Sequence, residues 1–188
     1  MSVKRHIDQA QVVQIAVQLA DANGFESVTL AAVAEKLGIR IPSLYNHVSG
    51  LPGLRYQMSL WAVSDLGEVL LRAGVGKAGA DALISMADAY RVWAHAHPGV
   101  YRMTFRAPSP EEVELAAAAT EAIDVLYAAL QSYNLSYDEM IHTIRAFRSV
   151  LHGFVDLETS GAFAIALDLD ESFRRLIRSF IASIGMRN

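Results

Sequence analysis

The chain has 188 residues, 53% of them hydrophobic, a mean hydropathy of +0.25, no cysteine and a formal charge of −4. This is enough apolar material for one or two packed domains, and the lack of cysteine excludes disulfides, thiolate metal sites and thiol nucleophiles. No uncharged apolar run approaches the roughly 18 residues that cross a bilayer, and the polar opening Met1-Ser-Val-Lys-Arg-His6 lacks a secretion signal's apolar stretch, so the expected location is cytoplasmic.

Helical periodicity dominates, and no segment alternates in the manner of a hairpin. Asp8 caps a first helix, with Gln11 completing a capping box. Its apolar stripe is Val12, Ile15, Ala16, Leu19 and Ala20, and Asn23-Gly24 stops it. Thr29 caps a two-turn helix carrying Leu30, Val33, Ala34 and Leu37, which Gly38 ends. A short helix from Pro42 to Val48 has proline in its first turn, where the missing N–H costs nothing. Longer helices follow: Pro52 to Ala73, one ending at His97 before Pro98, a short one over Gly99–Arg106, and one opening at Ser109-Pro-Glu-Glu112 and reaching Tyr133. Ser136 and Glu139 form a second capping box for a helix to Ser160-Gly161, and a last helix runs from Asp170 to Gly185. The expected fold is all-α, nine helices and no sheet, in two parts: residues 1–50 and residues 51–188.

The first three helices have the lengths and the glycine-containing turn of a helix-turn-helix. Ile39, Leu44 and Val48 face inward, leaving Arg40, Ile41, Pro42, Ser43, Tyr45, Asn46 and His47 outward. That set suits a DNA groove: apolar groups meet thymine methyls, Asn and Arg read base edges, and hydroxyls and imidazole reach phosphates. Charge is placed unevenly in the same sense. Residues 1–56 hold five basic groups (Lys4, Arg5, Lys36, Arg40, Arg55) against four acidic ones (Asp8, Asp21, Glu26, Glu35), and the remainder holds 11 against 16. The pattern alone leaves open a small helical hairpin with no DNA role.

The run Thr29-Leu-Ala-Ala-Val-Ala-Glu-Lys-Leu-Gly-Ile-Arg-Ile-Pro-Ser-Leu-Tyr-Asn-His-Val48 resembles the DNA-binding signature of the TetR family of repressors, and Leu19-Ala-Asp-Ala-Asn-Gly-Phe25 resembles the end of that family's first helix. The resemblance covers about residues 7–58. It implies that Thr29, Tyr45 and His47 meet phosphates, that Arg40, Ile41, Pro42, Ser43 and Asn46 face the major groove, and that Lys4 and Arg5 form a basic arm. It also implies a dimer on a palindromic operator and a small-molecule effector bound by residues 51–188. Two departures stand out. The family's Ser-Lys-acidic-acidic-Leu run is replaced by Ser49-Gly-Leu-Pro-Gly-Leu54, which removes a phosphate-anchoring lysine, and the aromatic that often follows the histidine is Val48.

One helix-turn-helix with few cations binds at roughly 10⁻⁴ to 10⁻⁶ M, whereas specific sites are held at about 10⁻⁸ M or better, so two copies are expected. Phe173, Leu176, Ile177, Phe180, Ile181 and Ile184 form a wide stripe on the last helix, opposite Arg174, Arg175 and Arg178. The stripe either packs on its own core or, as the resemblance implies, joins a four-helix bundle between subunits. Trp61, Tyr90, Trp93, Tyr101, Phe105, Tyr127 and Phe147 are candidates to line an apolar effector pocket. The run Leu151-His-Gly-Phe-Val-Asp-Leu-Glu158 resembles a Trp-His-Gly segment of one subgroup of the family, and His152 there is either a satisfied buried histidine or a ligand contact.

Three patterns carry no chemistry. Gly74-x-Gly76-x-x-Gly79 follows a helix where a dinucleotide fingerprint follows a strand. Glu139-x-x-His142 lacks the second copy of a di-iron pattern, and His95 and His97 point to different helix faces. No cofactor, metal site or catalytic constellation is expected, and an enzyme is not. The reading is a DNA-binding repressor released by an apolar or aromatic small molecule; the alternative is a helical ligand- or lipid-binding protein without DNA activity.

Overall fold

The computed structural model describes residues 7–185; the arm residues Lys4 and Arg5 lie outside them. Among the described residues there are eight α-helices and three 3-10 turns, with no strand and no helix long and apolar enough to cross a membrane. In chain order the helices are α1 (Gln9–Asn23), α2 (Leu30–Leu37), α3 (Ile41–Leu44), α4 (Gly50–Gly74), α5 (Gly79–Ala96), α6 (Val113–Leu130), α7 (Tyr137–Thr159) and α8 (Leu169–Gly185). Both capping boxes form: Asp8 accepts from the Gln11 N–H at 2.8 Å, and Ser136 reciprocates with Glu139.

Three of the nine expected helices differ, one of them α3, which ends at Leu44. Gly99–Arg106 is a 3-10 turn over Tyr101–Thr104, and α6 starts at Val113, beyond the proline at 110. The shift of α6 has a local cause. The Glu112 carboxylate accepts from the Ser109 N–H at 2.8 Å and from both terminal nitrogens of Arg106, which holds residues 109–112 in a turn.

The chain divides into two compact units. The first joins the residues up to Asp65 with Ala96–Ala116. Its core is built on α1, which buries Val12, Val13, Ala16, Val17 and Ala20, while Ile15 and Leu19 are only half-buried. The buried stripe is displaced from the expected one because α1 is covered on more than one side. On one flank the backbone of Gly99 lies so close that a Cβ there would fall 2.1 Å from Ala20. Leu54, Met58, Ala62, Val100, Tyr101 and Leu115 are buried in the same unit. The first unit thus runs past residue 50, to Asp65.

The second unit holds Leu66–His95 and Ala117 onward. Here α7 and α8 pair through aromatic contacts: Phe154 meets Phe173 at 5.0 Å, and Phe147 stacks on Phe180 at 5.3 Å. Arg91 on α5 ties the end of α7 to the start of α8. It bonds the Glu158 carboxylate through Nε and Nη2 and Asp170 through Nη1 at 2.8 Å, with its plane near the Phe173 ring. The glycines at 74, 76 and 79 form the break between α4 and α5, with Gly76 and Gly79 at positive φ.

Candidate nucleic-acid interface

The turn between α2 and α3 is fixed by its own hydrogen bonds. Thr29 caps α2 by accepting from the Ala32 N–H at 3.1 Å. At the other end Gly38 takes the left-handed conformation (φ 70, ψ 31). The Ile39 N–H returns to the Ala34 carbonyl and the Gly38 N–H to the Glu35 carbonyl, both at 3.0 Å, which is the Schellman arrangement. The chain reverses there and enters α3 with Pro42 in the first turn.

The helix expected over Pro42–Val48 is a single α-turn, Ile41–Leu44, continued by tighter turns in which the Asn46, His47 and Val48 N–H groups bond to the Ser43 and Leu44 carbonyls. Leu44 is fully buried and Val48 nearly so, and the segment packs against α2. Arg40, Ile41, Pro42, Tyr45 and Asn46 are exposed, Tyr45 by 60%, while Ser43 and His47 are half-buried. Ile39, expected inside, is half-buried. An exposed Ile-Pro-x-x-Tyr row on a locally rigid turn is costly in water and suited to a groove.

The chain enters α4 through Gly50 at φ +71, a conformation an L side chain resists. Among the described residues near the turn, Lys36 and Arg40 are exposed cations.

The expected effector-lining residues divide between the two units. Trp61 lies edge-on to His97 at 5.2 Å and Tyr101 edge-on to Phe105 at 4.8 Å in the first unit. In the second, Tyr90, Trp93 and Phe147 are buried and Tyr127 is half-buried. His152 is half-buried and its Nδ1 bonds the Tyr90 hydroxyl at 2.9 Å. His95 bonds Glu158 and His97 bonds Asp21, each at 2.8 Å, so the two do not share a site. A cleft of about 740 Å³ lies elsewhere, within the first unit, walled by the end of α1, the start of α4 and residues 98–106. None of the eight expected residues lines it. Its walls come from three separate stretches of chain, so no single sequence window signals it.

On α8, Phe173, Ile177 and Ile184 are buried within the subunit's own core, and Leu176, Phe180 and Ile181 are half-buried. Half of the expected stripe is therefore spent inside the subunit, and Phe180 stacks on Phe147 of α7. Exposed apolar groups missed from sequence flank it: Leu157, Phe163, Ile165 and Leu167, the last two more than 70% exposed.

Residues 83–180 match the family described as Tetracyclin repressor-like, C-terminal domain. The chain is 36% identical over 182 residues to the uncharacterized HTH-type transcriptional regulator Rv0681 of Mycobacterium tuberculosis, spanning 96% of this chain and 83% of that one. It is 30% identical over 188 residues to the uncharacterized HTH-type transcriptional regulator YobS of Bacillus subtilis, spanning 100% and 98%. Its fold is similar to that of the Streptomyces coelicolor TetR family protein ActR in complex with (S)-DNPA, with TM-score 0.69 at 17% identity over 96% and 98% of the two chains.

Proposed function

The chain belongs to the TetR family of helix-turn-helix transcriptional regulators, and we propose that it acts as a homodimeric repressor released from a palindromic operator by an apolar or aromatic small molecule. The family is one of regulators, not enzymes. The observation that carries the reading is the exposed row Arg40, Ile41, Pro42, Tyr45 and Asn46, held rigid by the buried Leu44 and Val48.

In this reading Arg40, Ile41, Pro42, Ser43 and Asn46 face base edges, and Thr29, Tyr45 and His47 meet phosphates. Lys4 and Arg5 supply a basic arm. The few cations near the turn make one copy a weak binder, and two copies on half-sites one helical turn apart supply the missing affinity. Leu176, Phe180 and Ile181, with the exposed Leu157, Ile165 and Leu167, offer the apolar surface for pairing. Repression by occupancy places the protein's work in the cytoplasm. That ActR is seen in complex with (S)-DNPA supports an effector for this chain as well.

The test is a gel shift of the full chain on the DNA upstream of its own gene, followed by titration with apolar and aromatic compounds. A retarded band that an effector releases is expected. A band that no such compound releases removes the sensing half of the reading.

A further inference from the structure

We propose that the 740 Å³ cleft of the first unit is a binding site for an amphipathic organic acid, with Arg55 as the group that receives its carboxylate. Its volume falls in the range of small-molecule sites. Phe25, Pro52, Tyr56, Pro98 and Met103 give it apolar walls.

Asp21, Arg106, Glu112 and Ser59 of the lining are already engaged. Asp21 accepts from the His97 ring at 2.8 Å and from the Gly99 N–H at 3.0 Å. Arg106 and Glu112 hold each other through two contacts. The Ser59 hydroxyl donates to the Arg55 carbonyl at 3.1 Å. Arg55 is different. Its Nε is buried with no hydrogen-bond partner, its guanidinium lies 4.7 Å from the Phe25 ring centre, and its contact with Glu26 is a long 3.8 Å to a carboxylate that is 91% exposed. A buried N–H without an acceptor is unfavourable. The side chain is nevertheless 39% exposed, so a carboxylate in the cleft meets its terminal nitrogens, through the paired N–H···O contacts that arginine favours. The ligand's apolar body then lies along Phe25, Tyr56 and Met103.

The walls also explain how such a ligand acts. One wall is the end of α1, which supports the helix-turn-helix, and another is the start of α4, which follows the recognition segment. An occupant sets the spacing of these two helices and so the seating of α3. This regulatory consequence rests on the repressor reading above; the binding itself does not.

The test uses the full chain with the fluorescent sulfonate 1-anilinonaphthalene-8-sulfonate as probe, and decanoate and decanol as competitors. Saturable probe binding is expected, with decanoate displacing it at least about 10-fold better than decanol. Arg55→Met should weaken decanoate at least about 10-fold while leaving the unliganded melting temperature unchanged or raised, and Arg55→Lys should restore part of the affinity. Met103→Trp, which fills the cleft from the opposite wall, should also lose decanoate. Equal competition by decanol, or wild-type decanoate affinity in both Arg55→Met and Met103→Trp, would overturn the site. In the DNA arm, decanoate should weaken the wild-type operator complex by about 5- to 150-fold, the usual span of such coupling, and leave the Arg55→Met complex unchanged. Decanoate bound through Arg55 with an unaffected operator complex overturns the regulatory role alone. A chain that takes decanoate but never binds an operator overturns the repressor reading and leaves the site standing.

Discussion

His97 donates its Nδ1 proton to the Asp21 carboxylate at 2.8 Å, and the same carboxylate accepts from the Gly99 N–H at 3.0 Å. A carboxylate can only accept, so the ring's Nδ1 carries the proton. The last turn of α1 is thereby clamped to the segment after α5, beside the cleft. Asp21→Ala removes the carboxylate that accepts both bonds in a largely buried site, and should cost about 2 kcal/mol in chemical denaturation. Asp21→Asn keeps an acceptor for one of them and should cost less.

Two glycines separate steric from conformational need. At Gly99 a Cβ would meet the Ala20 backbone at 2.1 Å, which no side-chain rotation relieves. Gly99→Ala should destabilise by about 3 kcal/mol or more. Gly38 has open space around its would-be Cβ but sits at φ +70, so Gly38→Ala should cost only about 1–2 kcal/mol. Thermal melts of the two variants should rank in that order.

The ion-pair cluster of the second unit gives stability an acid dependence. The Arg91 guanidinium holds the Glu158 carboxylate below its usual value of 4.5; burial opposes the shift and the His95 hydrogen bond adds to it. A carboxyl lowered in the fold adds stability that is fully present above pH 4.5 and is lost as pH falls through the lower folded value. Glu158 is 8% exposed as a side chain and Arg91 16%, so Glu158→Gln should cost about 3 kcal/mol at neutral pH. Denaturation curves at a series of pH values should show that deficit shrinking below 4.5.

Much of this fold is legible in the residues themselves. Asp8–Gln11, Ser136–Glu139, Thr29 and Gly38 act through bonds spanning a few residues, and each does what its type and spacing imply. The same holds for Leu44 and Val48, whose inward positions leave Arg40, Ile41, Pro42, Tyr45 and Asn46 outside. Contacts between distant segments are less legible. Periodicity marks the α8 stripe as apolar but not whether Phe173 faces α7 or a second chain, and the structure spends it on Phe154. The late start of α6 depends on Arg106 capturing Glu112 from six residues away, which local capping rules do not register. The partnerless Nε of Arg55 is visible only once Phe25 has folded against it.

The central claim is that the segment from Arg40 to His47 reads DNA in two copies. Affinity selection of random duplexes by the full chain tests it most directly. The account predicts enrichment of an inverted repeat with half-sites about one helical turn apart, near 10 base pairs, and its loss in the double variant Tyr45→Ala, Asn46→Ala with melting temperature retained. Recovery of no common sequence, or of the same sequence by that double variant, would contradict it.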